Sequence, residues 1–382
     1  MKLCVLVACF ACAAGLAQRP AAPVSSPPSL RTQSTVVLVP ALVRDPKGEL
    51  VFTLKAADFR VTDDGIEQRL TLDDDTGGEP LALVIAVESG ASAKDKLDSY
   101  RHLSSVIGAM VGAVPHRVAV VAFDSVPQVL LDFTPDVEKA GAALTGLRPG
   151  DKGGAILDAL KFSVDLLRAQ PPQYRRAILL ISETLDHGSQ ARIDDVLRAI
   201  SDTNTAIYTL AFSSGKSEAA HYGSHELPFK KTDGGFALEN AYPNPPHGCM
   251  GKDPDPDATR NKAVQAYDCL TQLAPPLALA KMAAIATTAA LQRNVPETVA
   301  RLTGGEYFKF ENSRSLVRGM MNISNHLPNR YVLSFQPLSP HPGFHAVELK
   351  LNDHPGLRVN ARTGYWADSD AIPATSPPAS AP

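Results

Sequence analysis

Two glutamates, Glu88 and Glu183, each close an apolar run, LALVIAV before the first and AILLIS before the second. Carboxylates at the ends of hydrophobic segments are candidates for acid–base work or for holding a hard cation, since both tasks need oxygen donors on a rigid element. Acid–base catalysis further requires fixed spacing and unequal pKa values, and nothing in the sequence supplies either. Asp253, Asp255 and Asp257 alternate with proline like the start of a calcium loop. Ala258 and Val264 stand where that loop needs glycine and a bidentate glutamate, so a solvated turn is expected. His221 and His225, four apart in HYGSH, are separated by a glycine that argues against a helical ligand pair, have no glutamate directly after the first His and no third ligand, and read as loop polarity. Gly153 and Gly154 open a helical segment, where bare amides suit an anion or, more commonly, close packing. No GxSxG elbow, phosphate-binding loop or dinucleotide fingerprint occurs.

The 382 residues are 44% hydrophobic and 20% charged, enough for one large or two modest folded domains. A formal net charge of -3 gives no long-range field toward polyanions, which disfavours nucleic-acid partners. Met1 and Lys2 precede an uncharged stretch over 3–16, and Gly15 and Ala17 suit a signal peptidase, so 1–17 reads as an export signal and the protein as secreted or periplasmic. The apolar run is shorter than the roughly 18 to 20 residues that span a bilayer, and no other segment is apolar enough. Leu6 to Cys9 resembles a lipobox, the competing reading in which Cys9 is lipidated. With Cys4, Cys9 and Cys12 in the signal, Cys249 and Cys269 remain and are expected to form one disulfide in an oxidising compartment.

Residues 18–33 are rich in Pro and Ser and read as a linker, and 368–382 as a disordered tail. Short β-type runs fill 34–78: TVVLVPALV, ELVFTL and FRVTDDGIEQRLTL, the last with Asp63-Asp64-Gly65 as a hairpin turn. The same texture returns over 328–367 in RYVLSFQPL, HAVELKLN and LRVNARTGYWA, where Tyr365 and Trp366 are expected to seal a core. The two ends are expected to pair into one small β-sandwich, with 79–327 inserted between them as a separate α/β body. That middle alternates buried strands with helices, expected over 93–114, 135–147, 155–169 and 190–202, the pattern of a mainly parallel sheet with helices on both faces. Binding crevices in such sheets lie beyond the C-terminal strand ends, which directs attention to the loops after Val87, Ser182 and Phe212. Over 213–276 the alternation stops, and a structureless insertion of that length is often functional.

The order LALVIAVESGASA, RVAVVAFDS, KGGAILDAL, AILLISETLD resembles a von Willebrand factor A domain. The flanking LKAADFRVTDDGIEQRLTL, ARLTGGEYFKF, NRYVLSFQP and LRVNARTGYWA resemble the exported von Willebrand A-related proteins of Acidobacteria. The resemblance implies a Rossmann-like α/β fold and a metal-ion-dependent adhesion site, formed in the family by Asp-x-Ser-x-Ser, a Thr and an Asp on three loops. The matching positions here are Glu88, Gly90 and Ser92, then Gly154, then Glu183. Two hydroxyls are glycine and both aspartates are one methylene longer, so the site is expected to be degenerate: two solvated carboxylates at a loop rim, with no cofactor. The competing reading keeps a weak Mg²⁺ or Ca²⁺ site through Glu88, Ser92, Glu183 and water. The expected function is non-enzymatic binding of a protein or extracellular polymer by the upper face. The alternative is a metal-assisted hydrolase using Glu88, Glu183 and the histidines of the insertion.

Overall fold

The computed structural model describes residues 36–73, 78–101, 103–214 and 293–368, positions 287, 290 and 291, and the backbone of 229–232 and 235–238. The expected signal and linker, His221, His225, the Asp253 to Asp257 run and Cys249 with Cys269 lie outside the described residues.

Four short strands come first, β1 (Val37–Arg44), β2 (Phe59–Asp63), β3 (Ile66–Gln68) and β4 (Leu70–Asp73). Asp64 and Gly65 both take positive φ, the backbone of a tight hairpin turn between β2 and β3. The central body follows, with strands β5 (Leu81–Glu88), β6 (His116–Phe123), β7 (Pro127–Thr134), β8 (Arg175–Glu183) and β9 (Ala206–Phe212). Between them lie helices α1 (Ser104–Val111), α2 (Val137–Thr145), α3 (Ile156–Arg168) and α4 (Ile193–Thr203). Beyond β9 come β10 (Phe229–Thr232) and β11 (Gly235–Leu238), then α5 (Val295–Thr303), β12 (Tyr307–Lys309) and α6 (Ser313–His326). The chain closes with β13 (Tyr331–Phe335), β14 (Gly343–Leu351), β15 (Arg358–Ala361) and β16 (Gly364–Ala367).

The central sheet has the order β12-β9-β8-β5-β6-β7, parallel except for the β6–β7 hairpin. All eight residues of β5 are buried, as a strand covered on both faces must be. Its odd positions Leu83, Ile85 and Val87 pack with Ile107 of α1 and Met320 of α6. Ala82, Val84 and Ala86 pack oppositely with Leu160 of α3 and Ile200 of α4. Parallel pairing places the C-terminal ends of β5 and β8 side by side, Val87 paired with Ile181.

The two ends of the chain pair as the outer sequence texture implies. One four-stranded sheet runs β15-β1-β13-β4 and the other β16-β14-β2-β3. Their inner faces share a core of Val39, Val61, Leu333, Leu349 and Tyr365. The outer sheets are not isolated from the central body: Trp366 donates its backbone N–H to Ser201 of α4 at 2.8 Å, and the Arg198 guanidinium stands 5.3 Å from its ring centre.

Four local expectations change. The run 49–54 forms no strand and meets β1 only through an Arg44–Leu50 bridge and a bond from Val51 N–H to Val43 O at 3.0 Å. The run LRVNARTGYWA divides between the two sheets, with buried Arg362 at the crossing donating to Gly364 O, Leu38 O and Asn204 Oδ1. The helix expected over 93–114 is a 3-10 helix, Ala91–Tyr100, followed separately by α1. The insertion, expected to be structureless, contains the antiparallel pair β10–β11.

Candidate functional site

Because β5 and β8 are parallel neighbours, Glu88 and Glu183 leave the sheet together, and Glu183 donates its backbone N–H to Glu88 Oε2 at 2.7 Å. The expectation of solvated carboxylates is overturned: both glutamates are 0% exposed. Burial pushes the Glu88 carboxyl up to about 8, and the charges of Glu183 and Asp186 add to that against the bond from Glu183 N–H. Glu88 Oε1 has no hydrogen-bond partner among the described residues, nor does the buried Tyr100 hydroxyl, whose ionisation is pushed up by burial and by Glu88. Glu183 Oε1 accepts from the Ser214 hydroxyl, and Oε2 lies 3.5 Å from His187 Nε2.

The loops after β5, β6 and β8 are tied to the segment before α3. Gly150 N–H donates to Ser89 O at 2.7 Å, Ala155 N–H to Asp124 O at 2.8 Å, and Gly154 and His187 exchange backbone bonds of 3.0 and 2.8 Å. Asp151 Oδ1 accepts from the backbone N–H groups of Ser125 at 3.1 Å and Gly153 at 2.7 Å. This packing is what glycine allows. A Cβ at Gly90 would stand 1.9 Å from Gly153 O, and one at Gly154 would stand 3.2 Å from Glu88 Oε1. The longer Glu88 side chain therefore lies against the space that a hydroxyl at 154 would use.

Of the five positions matched by resemblance, Glu88, Gly90, Gly154 and Glu183 come together. Ser92 sits half-buried in the 3-10 helix, with no hydrogen bond to either carboxylate among the described residues. The amides at the start of α3 are not free for an anion, since Asp186 Oδ1 accepts from Leu157 N–H at 3.0 Å. Beside this rim, an open groove of about 420 Å³ is lined by Ser89, Asp124, Gln128, Leu130 and Arg148. Val126, just before edge strand β7, and Leu130, on it, are 62% and 41% exposed. Apolar groups so placed are candidate contact residues.

The acidic ends of β5 and β8 and the glycine loop beside them lie in a span of this body that matches a known family. Residues 84–186 match the von Willebrand factor type A domain. The matched span contains Glu88, Gly154 and Glu183, and we refer to this body as the A domain. No curated protein matches the chain. Similar solved structures include the conserved hypothetical protein BatB from Bacteroides thetaiotaomicron, 13% identical, covering 64% of this chain and 99% of that one with a TM-score of 0.34. Proximal thread matrix protein 1 from the mussel byssus is 13% identical over 38% of this chain and 39% of its own, with a TM-score of 0.32. The SpRpn10 VWA domain is 16% identical over 35% and 76%, with a TM-score of 0.28. No helix among the described residues is long and apolar enough to cross a membrane.

Sequence reasoning also missed a polar cluster in the outer sheets, Asp64 with His341 and His345. Its signal was the four-residue spacing of the histidines in HPGFH, a common ligand spacing.

Proposed function

We propose that the chain is an exported, non-enzymatic protein whose A domain binds a protein or extracellular polymer through the loop rim at the C-terminal edge of the sheet, without a divalent cation there. The observation that carries this reading is the inward sealing of the acidic pair: Glu88 and Glu183 are both fully buried beneath interlocked loops. A pair that substrate cannot touch does not serve as acid and base, which disfavours the metal-assisted hydrolase built on Glu88, Glu183 and the insertion histidines.

The donor set does not fit Mg²⁺, which demands near-octahedral oxygen coordination at about 2.0 to 2.1 Å. Position 90 has no room for a side chain, and the Glu88 carboxyl lies against the space at 154. With the Glu88 carboxyl pushed up to about 8, that group is mostly neutral at pH 7. The rim then acts as a shaped surface, with Val126 and Leu130 supplying apolar contact beside the groove. Export rests on the residues of 1–17, and kinship with the Acidobacterial proteins on the flanking motifs.

The test is site-specific photocrosslinking in extracts of the source cells, with the crosslinker at exposed Lys152 on the rim or exposed Gln173 in the turn before β8. A discrete adduct from Lys152 alone, unchanged by EDTA, is expected. An adduct that EDTA abolishes, or one from Gln173 alone, would refute the reading.

A further inference from the structure

Two histidines and two aspartates meet in the outer sheets, away from the A-domain rim. Asp63 ends β2, and Asp64 follows it with φ 49, turning its carboxylate under the start of β14. There Asp64 Oδ1 accepts from Ala346 N–H at 2.8 Å, while Asp64 N–H donates to Ala346 O at 2.8 Å. The other oxygen, Oδ2, faces His341 Nε2 at 2.9 Å and His345 Nδ1 at 3.0 Å. Asp63 Oδ1 lies 3.1 Å from the same His345 nitrogen, and Asp63 Oδ2 accepts from the Tyr365 hydroxyl at 3.0 Å.

The far side of each ring fixes where its proton resides. His345 Nε2 faces His341 O at 2.8 Å, and His341 Nδ1 faces Pro342 O at 3.1 Å. A carbonyl oxygen only accepts, so the tautomer that satisfies both contacts carries hydrogen on these two nitrogens. In the neutral rings the remaining nitrogens, His341 Nε2 and His345 Nδ1, therefore present lone pairs, and both point at carboxylate oxygen. Lone pair against anion is repulsive unless a cation lies between them. Two further protons would provide the charge, but they would place two imidazolium rings face to face, the centroids being 3.9 Å apart at 15°. One divalent ion matches the two carboxylates without stacking like charges.

We infer that Asp63, Asp64, His341 and His345 form a binding site for a first-row divalent transition cation of the zinc type. The ligand atoms are Asp64 Oδ2, His341 Nε2 and His345 Nδ1, with Asp63 Oδ1 as the adjacent fourth donor. Tetrahedral zinc with bonds of about 2.0 to 2.1 Å sets its ligands roughly 3.3 Å apart, a few tenths beyond the 2.9, 3.0 and 3.1 Å separations present. Each ligand is held from behind, by the Ala346 amide, the Tyr365 hydroxyl or a backbone carbonyl, the arrangement that orients metal ligands and sets histidine tautomers. The His345 side chain is fully enclosed, whereas that of His341 is 20% exposed and leaves an approach from solvent. The bound ion would clip the β2–β3 turn to the chain entering β14, joining sequence positions near 64 and 341.

Calorimetric titration of Zn²⁺ into the EDTA-stripped full chain tests this, alongside His341→Ala and His341→Gln, with Co²⁺ absorption reporting ligand type. Expected are one equivalent of Zn²⁺ bound, a rise in melting temperature, a Co²⁺ spectrum of nitrogen and oxygen ligation, and affinity at least about tenfold weaker in either variant. His187→Ala, at the rim, should bind as the parent does. Absence of Zn²⁺ binding by the parent chain, unchanged affinity in both His341 variants, or Co²⁺ bands of thiolate charge transfer placing the ion on Cys249 and Cys269 would each overturn the inference.

Discussion

Replacing Glu88 by Gln removes an ionisable group whose surroundings oppose its charge. Burial pushes the carboxyl in the folded chain up to about 8 from an ordinary value of 4.5. The folded state therefore holds the proton more tightly than the unfolded state, and the sign follows. Stability from this group is full below pH 4.5 and is lost as pH rises toward 8, at about 1.4 kcal/mol per pH unit. Integrated over that window, the loss is roughly 5 kcal/mol, of which about 3 has accrued by pH 7. The glutamine oxygen can still accept from Glu183 N–H, so the variant should match the parent near pH 5 and exceed it increasingly up to pH 8. Urea unfolding at half-unit pH steps from 5 to 9, followed by circular dichroism, measures the difference directly. Parallel stability curves for parent and variant would show that Glu88 does not titrate in this window, and the sealed-pair reasoning would fail.

Gly90→Ser restores a hydroxyl found in the related adhesion sites but drives a Cβ to 1.9 Å from Gly153 O. It should cost about 1–3 kcal/mol or more by thermal unfolding, with no recovery in Mg²⁺. Glu306 is buried against Arg44, Arg330 and His326, whose hydrogen bonds and charges outweigh burial and hold its carboxyl below the usual range. Glu306→Ala should therefore lose roughly 3–5 kcal/mol in urea unfolding by leaving the cationic groups uncompensated. The double change Val126→Ser with Leu130→Ser, at exposed positions, should alter stability by only about 0.5 kcal/mol per site while abolishing the Lys152 crosslink.

The central sheet was legible because its inner strands are continuous apolar runs, the pattern expected of strands covered on both faces, as β5 and β8 illustrate. Helix α6 carries a different kind of signal: Asn312 caps it, accepting from Ser315 N–H, and its buried side recurs at Leu316, Met320 and Ile323. The 3-10 helix after β5 was less so, because its charged stretch buries only Ala93, Ser99 and Tyr100 and lacks a capping side chain. At the site, sequence order brought Glu88 and Glu183 to one edge but gave no sign of their burial. Exposure there is decided by the packing of Gly90, Gly153 and Gly154, three residues whose function is to have no side chain. The Asp64, His341 and His345 cluster was hidden for another reason: its members are brought together by pairing of β2 with β14, between strands distant in sequence.

Calorimetric titration of Mg²⁺ into the full chain and into Glu88→Ala tests the sealed rim most directly. The account predicts no saturable heat in either protein. Saturable Mg²⁺ binding by the parent, lost in Glu88→Ala, would establish a working adhesion site and contradict it.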